Sequence, residues 1–103
     1  MILTTTDKIE GKKIISYIGI VNSEAVLGVN FIKDFFASIR DIFGGRTRSY
    51  EKEITKYREE LLKEIESKAR EMGANAVVGI NFSYEIHQSM LMIAVWGTAV
   101  KVE

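Results

Sequence analysis

The segment Met90–Val102 constrains the fold most, because its residues are typical of a β-strand and both of its faces are apolar. Alternate positions give one face of Met90, Met92, Ala94, Trp96, Val100 and Val102, and another of Leu91, Ile93, Val95 and Ala99. Each large apolar side chain left in water forfeits roughly 1.5–3 kcal/mol, so the sheet needs a cover on both sides. One helix covers one face, and either the second helix of a monomer or a neighbouring subunit covers the other.

The periodicities of the whole chain predict a single α+β domain with the element order β-β-α-α-β-β. The predicted strands are rich in β-branched and aromatic residues and span residues 2–5, 13–21, 76–86 and 90–102. The predicted amphipathic helices span residues 31–43 and about 49–72. Gly44-Gly45 and Gly73 end these helices, because glycine accepts the left-handed conformation of a helix C-terminus. The fold class is therefore an antiparallel or mixed sheet with two helices.

Three shorter segments are predicted to be connections. Residues 7–12 read as a turn, residues 22–28 as a loop that joins the second strand to the first helix, and residues 87–89 as the turn of a C-terminal hairpin. Small and polar side chains in 22–28 also make that loop a candidate mouth for a ligand.

Composition excludes several functions and favours a cytoplasmic protein. The 103 residues fit one domain, and 14 basic residues balance 14 acidic ones, so no net field gathers nucleic acid or an anionic membrane surface. The longest apolar run, residues 90–96, is far shorter than the roughly 20 residues that span a bilayer. Because cysteine is absent, disulfides, thiolate ligands and cysteine nucleophiles are excluded. No signal-peptide pattern opens the chain.

The best candidate for a ligand site is the segment between the two predicted helices. Two glycines precede two arginines, two hydroxyl side chains and a helix start, and helix N-termini and arginines both bind anions. The candidate ligand-binding residues are Asp41, Gly44, Gly45, Arg46, Arg48, Ser49 and Glu51, with Glu24 as a neighbour. The alternative is a plain helix–helix turn with solvated arginines.

A metal site has fewer candidates, His87 and Glu85. One histidine without cysteine cannot build a soft-metal site of several ligands within one chain, although a ring of subunits would bring several copies together. The alternative is a titratable residue at a hairpin tip. Met90 and Met92 are read as core residues rather than ligands.

Two further observations bear on function. The aromatic residues Tyr17 and Trp96 are candidates for the lining of a ligand pocket, but they are read as core, because aromatic residues in strands usually are. No serine lies in a nucleophile elbow, and no residue is nominated as catalytic.

Several motifs, taken together and in order, resemble the YbjQ family over nearly the whole chain. They are Glu24-Ala25-Val26-Leu27-Gly28, Asp41-Ile42-Phe43-Gly44-Gly45-Arg46, Ser49-Tyr50-Glu51, Gly73-Ala74-Asn75-Ala76-Val77-Val78-Gly79 and Gly97-Thr98-Ala99-Val100. The resemblance implies a compact α+β subunit, similar in outline to dodecin, and assembly into ring-shaped homo-oligomers, namely pentamers. The family carries a heavy-metal-binding label, and the resemblance implies no established activity or cofactor.

These observations leave four hypotheses open. The leading one is a non-enzymatic homo-oligomer that binds a small ligand or ion at residues 44–51. The second is a heavy-metal-binding protein that uses His87 and carboxylates of several subunits. The third is an enzyme at a subunit interface that uses Asp41 and Arg46, and the fourth is a structural ring without a ligand.

Overall fold

The computed structural model describes residues 1–28, 47–87 and 90–103. Within them lie four strands and one helix, which follow one another as β1 (Ile2–Leu3), β2 (Ile14–Leu27), α1 (Thr47–Glu71), β3 (Ala76–His87) and β4 (Met90–Val102). The α+β class and the C-terminal hairpin are confirmed. The helix predicted at residues 31–43 lies outside the described residues.

The four strands form one mixed sheet in the order β1-β3-β4-β2. Strand β4 pairs antiparallel with both β3 and β2, whereas the two-residue β1 pairs parallel with the start of β3. The doubly apolar β4 therefore lies inside the sheet, where its backbone is paired on both sides.

Residues 22–27 are strand rather than loop, so that part of the prediction is wrong. They continue β2 and pair with β4 as far as Leu27 with Leu91. Polar residues 22–24 suggest a loop, but burial alternates through them as expected of a half-covered strand. The buried hydroxyl of Ser23 donates a hydrogen bond to the carboxylate of Glu64 on α1.

The side of the sheet that α1 covers, called the helix face, carries the main core. Leu61, Ile65 and Ala69 recur at helical spacing and are fully or almost fully buried against the strands. The strand residues in this core are Val21, Leu27, Val77, Ile80, Leu91, Ile93, Val95 and Ala99. Two polar side chains of α1 also bind β2, because Lys68 Nζ donates to the carbonyl of Asn22 at 2.8 Å and Glu64 binds Ser23.

On the opposite side of the sheet, only one end is covered by the chain's own described residues. A smaller core there contains Ala76, Val78, Val100 and Val102, with Ile9 and Ile14 packed against it. Ile9 belongs to the connection between β1 and β2. This second core agrees with the need to cover both faces, but it does not reach the hairpin end of the sheet.

The connection from α1 into the sheet explains one resemblance motif in structural terms. Gly73 has φ of 91° and Gly79 has φ of 63°, values in the left-handed region that disfavours other residues. Gly73 follows the end of α1, as predicted, and Gly79 lies at an irregularity in the pairing of β3 with β4. There its N–H donates to the carbonyl of Thr6 at 2.8 Å. This motif therefore shapes the chain and needs no ligand to account for it.

Within residues 1–28, 47–87 and 90–103, no helix has the length and apolar content needed to cross a bilayer.

Candidate functional site

The part of the sheet left uncovered opposite α1, called the open face, follows from the strand register. Paired residues of antiparallel neighbours share a face, as do alternate residues along one strand. Asn22, Glu24 and Val26 of β2 pair with Trp96, Ala94 and Met92 of β4. On β3, Asn81, Ser83 and Glu85 pair with the same three β4 residues. The open face is thus a mixture of apolar and polar side chains.

Large apolar side chains on this face are strongly exposed. The exposed fraction is 78% for Ile20, 57% for Val26, 47% for Met90 and 40% for Trp96. Tyr17, which pairs with Val100 further along β2, is also exposed. The prediction that Trp96 and Tyr17 are core residues is wrong for the single chain, because the small second core does not extend over them.

The hairpin end of the open face holds both metal candidates. His87 lies in β3, where it pairs with Met90, and it is not part of the turn as predicted. Glu85 pairs with Met92, two positions along. Met90 is nearly half exposed, so the prediction that it is a core residue is wrong, whereas Met92 is partly buried. Two sulfur-bearing residues thus adjoin the two candidates that the sequence nominated.

The carboxylates of the open face do not form a chelating pair in one chain. Glu24 lies on β2 and Glu85 on β3, with β4 between them and an offset of two residues. Strand spacing puts their backbone positions about 12 Å apart. In agreement with this, the described ranges 1–28, 47–87 and 90–103 contain no group of three or more histidine, cysteine, aspartate or glutamate residues positioned to hold a metal.

The predicted anion loop is described only in part. Asp41, Gly44, Gly45 and Arg46 lie outside the described residues. The other three candidates, Arg48, Ser49 and Glu51, fall in α1, which begins at Thr47, two residues earlier than predicted. They lie in the first turns of this helix, and the anion-site hypothesis stays a prediction.

A groove that was not singled out in the sequence lies beside the connection between β1 and β2. Its volume is about 480 Å³, and it is lined by residues 6–10 together with Lys12, Ile14 and Tyr17. Gly11, with φ of 81°, shapes this connection, and the Thr6 hydroxyl donates to the carbonyl of Lys8 at 2.6 Å. Two lysines and two acidic residues line the groove, so its charges balance. The sequence signals for this groove are the turn predicted at residues 7–12 and the candidacy of Tyr17 as a pocket residue.

Comparison with known proteins gives a match over the full length. A family model with the description "Putative heavy-metal-binding", YbjQ_1, matches residues 1–103. A UPF0145 protein of Persephonella marina is 63% identical over 103 residues, covering 100% of both chains. A UPF0145 protein of Bacillus cereus is 48% identical, covering 99% of this chain and 100% of its own.

A solved structure shows the same fold. A protein of unknown function from the DUF74 family of Pediococcus pentosaceus superposes with a TM-score of 0.67, covering 100% of this chain and 98% of its own. At 14% identity this likeness concerns the fold alone.

The family's description raises the question of which metal the residues fit. A zinc-type site takes three or four imidazole, thiolate or carboxylate ligands, and the described part of one chain assembles no such set. Thioether sulfur is a different class of donor, selective for soft ions. Met90 and Met92 are the soft donors on the open face, so a single chain fits a soft ion better than a hard or borderline one.

Proposed function

This chain belongs to the YbjQ family, and we propose that it acts as a homo-oligomer that binds a small ligand or ion. One observation carries the oligomeric part: the open face exposes large apolar side chains in a single chain. Exposed apolar area of this kind marks an interaction surface in soluble proteins. A second copy is the occupant to which we commit.

The extent of the chain supports this proposal. The radius of gyration is 16.7 Å, against about 13 Å for a compact chain of about 100 residues. An elongated subunit leaves a larger share of its surface exposed than a compact one, and contact with further copies buries part of that surface.

The sheet edges support a head-to-tail arrangement. Strand β2 ends the sheet on one side, and on the other side β1 pairs only with Ala76 and Val77 of β3. Long edge strands pair readily with another chain. Because β2 and β3 both run antiparallel to β4, β2 of one copy would join β3 of the next in parallel. Such a heterologous contact generates a ring when its rotation closes, in line with the ring that the family resemblance implies.

The test of assembly is sedimentation equilibrium of the wild-type chain and of Ile20→Lys. Ile20 is mostly exposed in one chain, so a lysine there leaves the fold intact but places a charge in the contact. We expect a defined multiple of the chain mass for the wild type and a smaller species for the variant. Ser67→Lys, on the exposed side of α1, is the matched control and keeps the wild-type mass. A wild-type monomer would instead favour the alternative in which helices of one chain cover both faces.

The ligand part of the proposal is tested separately. Residues 44–51 combine a helix N-terminus with Arg46 and Arg48, which supports an anionic ligand. Native mass spectrometry of the protein isolated gently from cells measures any extra mass on the assembly. We expect reproducible extra mass that is lost in Arg46→Ala/Arg48→Ala, while an unchanged spectrum in that variant removes the arginines from the site.

Metal binding is a second candidate function, because the exposed sulfur side chains on the open face favour it. One hypothesis builds the metal site from His87 and carboxylates of several copies. It is tested by zinc titration of the wild type and of His87→Ala, compared under conditions in which both have the same oligomeric state. Binding that His87→Ala leaves unchanged would contradict it.

A further inference from the structure

Methionine placement on the open face is unusual enough to need an explanation. Met90 and Met92 are both on β4, two residues apart, and therefore on one side of the sheet. Met90 is nearly half exposed, and Met92 is partly exposed. Core packing, the ordinary use of methionine, does not account within one chain for two thioethers on a sheet surface that its described residues leave open.

The register shows which backbone positions surround the two methionines. His87 pairs with Met90, and Glu85 pairs with Met92. Cross-strand partners have Cβ atoms about 4.5–5.5 Å apart, and alternate residues of one strand are separated by about 7 Å. Four backbone positions thus form a patch of about 5 by 7 Å. Methionine has three rotatable side-chain bonds, so both sulfur atoms can reach a common ion from this patch.

We infer that Met90 and Met92 form a binding site for a soft monovalent metal ion, Cu(I) or Ag(I). Thioether sulfur selects Cu(I). Divalent zinc takes three or four imidazole, thiolate or carboxylate ligands, and hard cations take several oxygen ligands, whereas these two residues supply thioether sulfur. The inference names an ion class and residues within the ion-binding function proposed above. It rests on that function but not on assembly, because both residues belong to one chain.

The chain offers an internal control. Its four methionines are Met1, Met72, Met90 and Met92. Met72 is 39% exposed but follows the end of α1, and Met1 packs against the main core. These two methionines therefore report non-specific binding of a soft ion to thioether sulfur.

The first experiment is a titration of protein labelled with ¹³C in its methionine methyl groups, using Ag(I) as a redox-inert probe in chloride-free buffer. Single Met→Leu variants assign the four methyl resonances. We expect the Met90 and Met92 resonances to shift together and to saturate at one Ag(I) per chain, while Met1 and Met72 do not move. Equal shifts of all four resonances, or no shift of the Met90 and Met92 pair, would overturn the site.

The second experiment measures affinity for Ag(I) by calorimetry. Leucine is close to methionine in volume and hydrophobicity, so Met90→Leu/Met92→Leu removes sulfur while keeping the apolar surface. We expect at least a tenfold weaker affinity in this variant and wild-type affinity in Met72→Leu. Wild-type affinity in the double variant overturns the site.

Native mass spectra of the same samples separate this inference from the proposed assembly. An intact oligomer that takes up no Ag(I) contradicts the metal site alone. A monomer that binds one Ag(I) through Met90 and Met92 supports the site and contradicts the oligomer.

Discussion

The side-chain amide of Asn75 binds both backbone groups of Val102. Its Nδ2 donates to the Val102 carbonyl at 2.9 Å, and its Oδ1 accepts from the Val102 N–H at 2.8 Å. The Asn75 N–H also donates to the carbonyl of Val100 at 3.0 Å. One residue thus fixes the turn that leaves α1 to the end of β4.

Asn75→Ala should lower the free energy of unfolding by about 1–3 kcal/mol, because both backbone groups of Val102 lose their side-chain partner in a part-buried place. Urea denaturation followed by circular dichroism measures the change. Asn81→Ala is the control, since the Asn81 amide donates an exposed hydrogen bond to the carbonyl of Gly79. An equal loss of unfolding free energy in both variants would show that the two hydrogen bonds to Val102 stabilise the fold no more than the single exposed one.

Gly97→Ala should destabilise the sheet by about 1–3 kcal/mol through overpacking. A Cβ at this position would lie 2.8 Å from Val77 Cγ1 and 3.1 Å from both Ile80 Cγ1 and the Val78 carbonyl oxygen. A thermal melt of the variant measures the loss. Gly28→Ala is the matched control, because no described atom lies within 4 Å of its added Cβ. Equal melting temperatures for the two variants would mean that β3 shifts to accommodate the added methyl group without loss of stability.

Glu64→Ala should lower the free energy of unfolding by about 1–3 kcal/mol, because it leaves the buried hydroxyl of Ser23 without its acceptor. Removing both partners in Ser23→Ala/Glu64→Ala should cost less than the sum of the two single changes. The double-mutant cycle, measured by denaturant unfolding, should give a coupling of about 0.5–3 kcal/mol. Strict additivity would indicate that the two groups do not stabilise each other.

The sequence predicts most of the described fold because the relevant signals are local. Helical spacing of Leu61, Ile65 and Ala69 marks α1, and Gly73 marks its end. The strand content of the C-terminal hairpin is equally local. Glu66 and Arg70 are spaced i,i+4 on α1, a spacing that favours an ion pair, and the pair forms at 3.1 Å.

Where the prediction fails, distant contacts decide the structure. Asn22 and Ser23 read as loop residues, but hydrogen bonds from Lys68 and to Glu64, both on α1, hold them in β2. The i,i+4 spacing of Glu64 and Lys68 favours an ion pair between them, but both side chains bind the strand.

The candidate site was less predictable than the fold, for a related reason. A strand that is apolar on both faces does not reveal which face the chain itself covers, so Met90 and Trp96 read as core. Pairing of His87 with Met90 depends on the register of β3 and β4, which the sequence predicts only through the position of the turn. Because the predicted turn begins one residue too early, at His87, the sequence does not predict that His87 pairs with Met90.

Trp96 should report assembly of the open face directly, because it is the one tryptophan of the chain. Its side chain is 40% exposed in a single chain. It pairs with Asn22, and Ile20 pairs with Thr98 two positions along, so a copy that covers Ile20 also shields Trp96. We expect the emission maximum to move to longer wavelength on dilution of the wild type, and Ile20→Lys to show the long-wavelength spectrum at every concentration. Ser67→Lys should follow the wild type. A wild-type spectrum that is independent of concentration and identical to that of Ile20→Lys would place the contact between copies away from this face, and the proposed assembly would then have to use the sheet edges alone.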